Sequence, residues 1–280
     1  MKKINKNYLA LAPFLLAVIA YELLPLMELF INSIKVDGEL GLGNYIRIAT
    51  TPLYQMSVWN SVRISLIASC IGIIIAFFVA KAYYEVGGNW RRIMTMILNM
   101  TSNFTGLPLT FAFMILMGNT GVLTLLGQQY GIPFLKDFDL YTGNGLTIIF
   151  VYFQVPLATL LLMPTFLTLK KEWKEAAALM QASGISYWWH VAIPNLLPGI
   201  LGTVSVLFAN SLAAYATAYA LVQNNYALLA LQISSKFKGD VSIDKELGGA
   251  LAMVLILLMV LATLFNNQMT KKYAKGRELI

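Results

Sequence analysis

The chain has 280 residues, of which 58% are hydrophobic and only 12% charged, with a formal net charge of +7 and a mean hydropathy of +0.69. So apolar a composition excludes an ordinary water-soluble domain and makes the lipid bilayer the expected solvent. One cysteine (Cys70) excludes an internal disulfide or a Cys-based metal site, and one histidine (His190) without converging carboxylates excludes a catalytic triad or a His-rich metal centre.

Six apolar runs are long enough to cross about 30 Å of hydrocarbon as helices. They predict spans near 9–31, 58–81, 93–117, 146–169, 198–222 and 248–267, and an all-α membrane protein of one domain, 1–280. The first run follows Lys2, Lys3 and Lys6 as a secretory signal would. It is too long for one, however, and no Ala-x-Ala cleavage site follows, so it reads as a retained span. Glu22 and Glu28 are the acids within it. Glu28 is close enough to the outer surface to be solvated. Counting about 1.5 Å per residue, Glu22 lies roughly two-thirds of the way across. A carboxylate there is costly unless paired or neutral, which makes it a site hypothesis, with interior pairing or a water-filled cleft as explanations.

Segment 99–108 brings polar side chains and a Gly106-x-Pro108 break into the third run. Asn99 and Asn103 lie one turn apart and face the same way. Amides in lipid must find partners or water, so both are expected to point to the bundle interior, as a pathway wall or as interhelical hydrogen bonds. The glycine and proline would let that helix flex between states. Gln154, beside Pro156, is a weaker candidate of the same kind. Segment 208–220 is rich in alanine, with Asn210, Ser211, Tyr215, Thr217 and Tyr219. It suits tight helix packing on one face and a second pathway wall, including Asn210 and Tyr215, on another. The segments 32–57, 118–145 and 223–247 mix turn residues with balanced charge and are large enough for a docking platform.

The basic residues give an orientation. With the N-terminus inside, the short cytoplasmic segments hold Lys2, Lys3, Lys6, Lys81, Arg91, Arg92, Lys170, Lys171, Lys174, Lys271, Lys272, Lys275 and Arg277, thirteen of the twenty in the chain. Acids there are Glu85, Glu172, Glu175 and Glu278. Both termini are therefore expected in the cytoplasm, and residues 170–197 with them. The positive charge follows membrane topology, so no nucleic-acid partner is expected.

The cytoplasmic stretch 172–183 is an amphipathic helix. Trp173, Ala176, Ala177 and Met180 share one face, while Glu175, Ala178 and Ala182 share another whose small side chains allow close approach of a foreign backbone. Gly184 suits the residue just past the helix end, and Pro194 and Pro198 punctuate entry into the next span. An interfacial helix would explain Trp173 and the lysines, but helix-in-groove docking also explains the alanines and the proline-bounded return. Trp188, Trp189 and His190 suit an aromatic belt at the membrane interface.

Glu175-Ala176-Ala177, followed by Val191-Ala192-Ile193-Pro194, resembles the EAA signature of type I ABC-importer permeases. Gln181 stands where that signature has glycine, and Gly184 is expected to take over part of its role. Asn103-Phe-Thr-Gly-Leu-Pro, Gly118-Asn-Thr-Gly and Phe208-Ala-Asn followed by Ala-Tyr-Ala-Thr-Ala-Tyr resemble segments of polyamine-uptake permeases. The resemblance implies a cytoplasmic coupling helix including Glu175, Ala176, Ala177, Ala178, Gln181, Ala182, Ser183 and Gly184. It also implies a second permease, usually a different chain, and an external solute-binding protein. A pair of ATPases would carry the ATP and Mg. The setting the resemblance implies is a bacterial inner membrane. The chain needs no cofactor of its own, and it has no Gly-x-x-x-x-Gly-Lys-Ser/Thr phosphate loop with which to hydrolyse ATP. Polyamines lead as solute, with aminoethylphosphonate, ferric iron and thiamine open. The rivals are an ion-coupled carrier, for which only Glu22 is a candidate coupling group, and an intramembrane enzyme, for which no constellation exists.

Overall fold

The structure, a computed structural model, describes residues 6–238 and 243–275. Lys2, Lys3, Arg277 and Glu278, used above for orientation, lie outside the described residues. Helix α1 (Lys6–Val18) passes through one π turn, Ile19–Leu23, into α2 (Leu24–Ser33). A hairpin follows, β1 (Lys35–Val36) against β2 (Glu39–Leu40), with Lys35 opposite Leu40. Asp37 and Gly38 turn it at φ 53° and 86°, the left-handed pair that a two-residue hairpin requires. Then come α3 (Gly43–Thr50), α4 (Pro52–Glu85), α5 (Gly88–Ser102), α6 (Gly106–Met117), α7 (Val122–Tyr130), α8 (Pro133–Lys136) and α9 (Gly143–Phe166). The remainder is α10 (Lys171–Leu179), α11 (Gly184–Tyr187), a second π turn Trp188–Ala192, α12 (Ile193–Leu212), α13 (Tyr215–Val222), α14 (Leu229–Lys238) and α15 (Lys245–Lys275).

Both π turns stand just before a proline, Pro25 and Pro194. Proline has no N–H to donate and its ring crowds the carbonyl four residues back. A wider turn around Tyr21 and His190 accommodates it.

Among the described residues, six stretches are long and apolar enough to cross a membrane: Pro13–Ser33, Pro52–Glu85, Gly106–Tyr130, Gly143–Phe166, Gly184–Leu212 and Lys245–Lys271. The third differs from the segment 93–117 expected from hydropathy. The helix breaks at 103–105, where Gly106 sits at φ 69° and opens a new helix with Pro108 in its first turn. It breaks again at 118–121. The fifth begins earlier than 198 and breaks at Ala213–Ala214, leaving α13 as a separate piece.

The core is the packing of α4 on α9. Buried Ser57, Ser61, Ser65, Ser69, Gly72, Ala76 and Ala80 form a small-residue stripe on α4, which lets the bulky Leu146, Phe150, Phe153 and Leu162 of α9 come close. A Cβ on Gly72 would lie 3.3 Å from that of Gln154. The first span is peripheral: its apolar window has no buried residue, and it touches the rest through α2 on α15. Glu22 is exposed on that peripheral helix, so neither interior pairing nor an internal cleft within this chain accounts for it.

Candidate coupling and pathway sites

α10 ends in a turn built without glycine. Gln181 adopts φ 56°, its N–H donates to the Ala178 carbonyl at 3.0 Å, and the Ala182 N–H donates to the Ala177 carbonyl at 3.0 Å. Those bonds satisfy carbonyls that a helix end otherwise leaves free, the pattern that closes a helix at a left-handed residue. Left-handed backbone costs a residue with a Cβ about 1–2 kcal/mol. Gly184, expected to help make this turn, instead opens α11, where the Ser183 hydroxyl accepts from the Ser186 N–H at 3.2 Å.

The helix presents two faces. Trp173, Ala176, Ala177 and Met180 border a groove of about 430 Å³ with Tyr187 and His190. Glu175 and Ala178 border a separate cleft of about 1100 Å³ with Glu85, Arg91, Lys171 and Lys174. Ala182, expected beside Glu175 and Ala178, lines the first groove instead, because the turn at Gln181 carries the chain round. Glu175 is exposed, and among the described residues its carboxylate makes no ion pair; Arg47–Asp244, at 3.2 Å, is the one found there. The tip is apolar and open: Leu179, Met180 and Ile185 are 86%, 82% and 72% exposed.

Behind α10 stands a cluster of Phe77, Tyr84, Phe166, Tyr187 and Trp188, with ring centroids 5.3–6.3 Å apart. Trp173 and Ala177 pack against its apolar surroundings. The Tyr84 hydroxyl donates to the Leu169 carbonyl at 3.2 Å, and the Lys81 ammonium lies 4.6 Å from the Trp188 ring centre. Each aromatic pair adds about 0.5–1.5 kcal/mol beyond burial. α10 thereby rests, through Trp173 and Ala177, on a cluster built from the ends of α4 and α9 and the Trp188 turn. Trp188 is half-buried in this mount, whereas Trp189 is exposed and His190 Nδ1 lies 2.9 Å from the Ser186 carbonyl of its own helix.

The candidate pathway residues divide. Asn99, Asn103 and Asn210 are exposed on this chain rather than turned into its interior. Asn99 donates to the Thr95 carbonyl at 2.9 Å and Asn103 to the Asn99 carbonyl at 2.8 Å. Both amides thus spend a donor on their own backbone, and their free capacity faces outward. A Cβ on Gly106 would lie 3.8 Å from the Ala216 Cβ, and Thr110 donates to the Thr217 carbonyl at 3.3 Å. The breaks at 103–105 and 213–214 are therefore neighbours. Exposed Asn103 stands at the first break, and exposed Asn210, Ala213, Ala216 and Tyr219 flank the second. Tyr215 is half-buried and stacked on Tyr219, centroids 5.4 Å apart.

Gln154 behaves differently. It is fully buried, its Nε2 donates to the Ser211 hydroxyl, and its Oε1 has no partner. It is a pin between α9 and α12, which the four-residue serine spacing on α4, continued by Gly72 three residues after Ser69, could have suggested by marking the tightest packing surface.

A profile of the family described as binding-protein-dependent transport system inner membrane component matches residues 68–274. The chain is 24% identical over 270 residues to the spermidine/putrescine transport system permease protein PotB of Haemophilus influenzae, covering 93% of each. It is 24% identical over 227 residues to the thiamine transport system permease protein ThiP of Salmonella typhimurium, covering 79% of this chain and 42% of that one. The fold is similar to that in a crystal structure of a bacterial ABC transporter involved in the import of the acidic polysaccharide alginate, with a TM-score of 0.78 at 13% identity, covering 95% of this chain and 94% of that one. With six helices among the described residues long and apolar enough to cross a membrane and a family match over most of its length, the chain belongs to the binding-protein-dependent transport system inner membrane components, the permease subunits of ABC importers.

Proposed function

We propose that this permease takes up a small polyamine-like solute from an external binding protein, and that α10 is the lever by which a cytoplasmic ATPase pair, carrying ATP and Mg, drives it. The observation that carries the lever is the combination at α10. An unpaired Glu175 carboxylate and small Ala178 project from a helix with an open apolar tip, on a mount of packed aromatic rings. An exposed amphipathic surface of that kind suits docking into a partner's groove. Rigid transmission between two discrete packings then gives alternating access. The exposed Asn99, Asn103 and Asn210 suit apposition to a second, different permease chain across the solute route.

The excess of lysine and arginine around 81–92 and 170–174 supports a cytoplasmic α10 and cytoplasmic termini. Relatives at similar identity transport different solutes, spermidine and putrescine in one case and thiamine in another by their names, so the polyamine assignment rests on resemblance along the chain. Two measurements test the reading. A cysteine at Ser183 is expected to be protected from an impermeant thiol reagent in intact cells while one at Asp139 is labelled; the reverse pattern rejects the orientation. In proteoliposomes, binding protein loaded with spermidine is expected to stimulate ATP hydrolysis; no response to spermidine, with a response to thiamine, rejects the solute.

A further inference from the structure

We propose that Tyr215 and Tyr219 form a subsite for the ammonium group of a cationic solute, and that Lys238 occupies it in the state seen here. The proposal deepens the polyamine reading and rests on it for the identity of the solute, though not for the existence of the site. The two rings stack with an interplanar angle of 23° and offer a double π platform at the start of α13, directly after the break at Ala213–Ala214. The Lys238 ammonium, from the end of α14, sits 5.4 Å from the Tyr215 ring centre. That is within the range at which the negative face of an aromatic ring attracts a cation.

A staple between α14 and α13 is the simpler reading, but the chemistry does not suit one. Lys238 is exposed, and among the described residues its ammonium has no carboxylate or carbonyl partner. Among the described residues the ring is its one partner, so another cation can replace it there without breaking a hydrogen bond. Exposed Ala213 and Ala216 stand beside the ring pair in the chain, with exposed Asn210 one turn before the break. Among the described residues this stretch offers an amide and π surfaces to a cation but no carboxylate. A route has to bind its solute well enough to admit it and weakly enough to release it. Neutral acceptors and tyrosine faces meet both needs for a polycation, whereas buried carboxylates would hold it.

The test uses the assembled complex in its membrane, with the exposed native thiol removed by Cys70→Ser and a reporter introduced by Lys238→Cys. Reaction with a trimethylammonium-bearing methanethiosulfonate is compared with reaction with the neutral methyl reagent. The expected charged-to-neutral rate ratio falls roughly two- to fivefold when Tyr215→Leu is added, the range for one exposed cation–ring contact. Tyr215→Phe, which keeps the ring, is expected to keep the ratio. With Lys238 restored, Tyr215→Leu should raise the KM for spermidine uptake several-fold, and Lys238→Met should lower it. An unchanged ratio in Tyr215→Leu, or a Tyr215→Phe variant as impaired as Tyr215→Leu, overturns the subsite. A ring-dependent charge preference in a complex that ignores spermidine upholds the subsite and rejects the polyamine reading alone.

Discussion

Gln154 and Ser211 distinguish a structural pin from a pathway residue. Ser211→Ala leaves the Gln154 amide fully buried with neither its nitrogen nor its oxygen satisfied by a side chain. An orphaned buried polar group costs about 1–3 kcal/mol. Gln154→Met removes the amide and keeps a straight side chain beside Gly72, where the two backbones approach too closely for branching at Cβ. It forfeits one hydrogen bond, about 0.6 kcal/mol on average inside membranes, but also removes the unpartnered Oε1, so its net cost is within about 1 kcal/mol. The double variant should cost no more than Gln154→Met alone, since Ser211 has by then lost the group it serves. Unfolding midpoints of the purified complex in mixed detergent micelles read all three, with solute uptake measured in parallel. Ser211→Ala as the most destabilised of the set, with uptake per folded complex unchanged in Gln154→Met, is the expected result. A Gln154→Met complex that unfolds normally but no longer transports would refute the pin and return Gln154 to the pathway.

The left-handed turn at Gln181 should tighten in Gln181→Gly, by up to about 1 kcal/mol, and loosen in Gln181→Val. Amide hydrogen exchange over residues 171–184 is the readout, and equal protection in both variants contradicts the turn's strain. Asn103→Leu and Asn210→Leu should reduce uptake while assembly and basal ATP hydrolysis persist, since both side chains face outward. Dissociation of the complex in detergent would instead make them interhelical hydrogen-bonding residues.

Composition alone made the membrane and the six crossings legible, because apolar stretches of that length have no other stable solvent. The Glu175-Ala-Ala-Ala helix was legible from its period, which put Trp173 and Ala177 on the face that packs. Other features depended on geometry that hydropathy averages away. Gly106 and Ala213–Ala214 interrupt helices whose flanks stay apolar, so the third run reads as 93–117 although its helix restarts at 106. Gly184 is the obvious helix stop by residue type, but two backbone bonds close the helix at Gln181. The cost of an amide in lipid points Asn99 and Asn103 to the bundle interior, and Asn210 reads as part of a second pathway wall. That cost holds for the assembly, and within one chain it leaves the residues on the surface. The stacked tyrosines with Lys238 unite residues 23 positions apart across a loop, a juxtaposition no periodicity contains.

The coupling role of α10 is the central claim, and one comparison tests it most directly. Glu175→Lys removes and reverses the unpaired carboxylate, while Ala178→Trp fills the close-approach surface beside it. Losing one partner of an interfacial charge pair costs about 2–5 kcal/mol, enough to release a docked ATPase. ATP hydrolysis by the reconstituted complex is measured with and without loaded binding protein. In both variants the permease should still insert in the membrane, the stimulation should be lost, and the ATPase should co-purify poorly. Normal stimulation with normal ATPase retention in both variants would contradict the lever and leave 171–179 as a helix lying at the membrane interface.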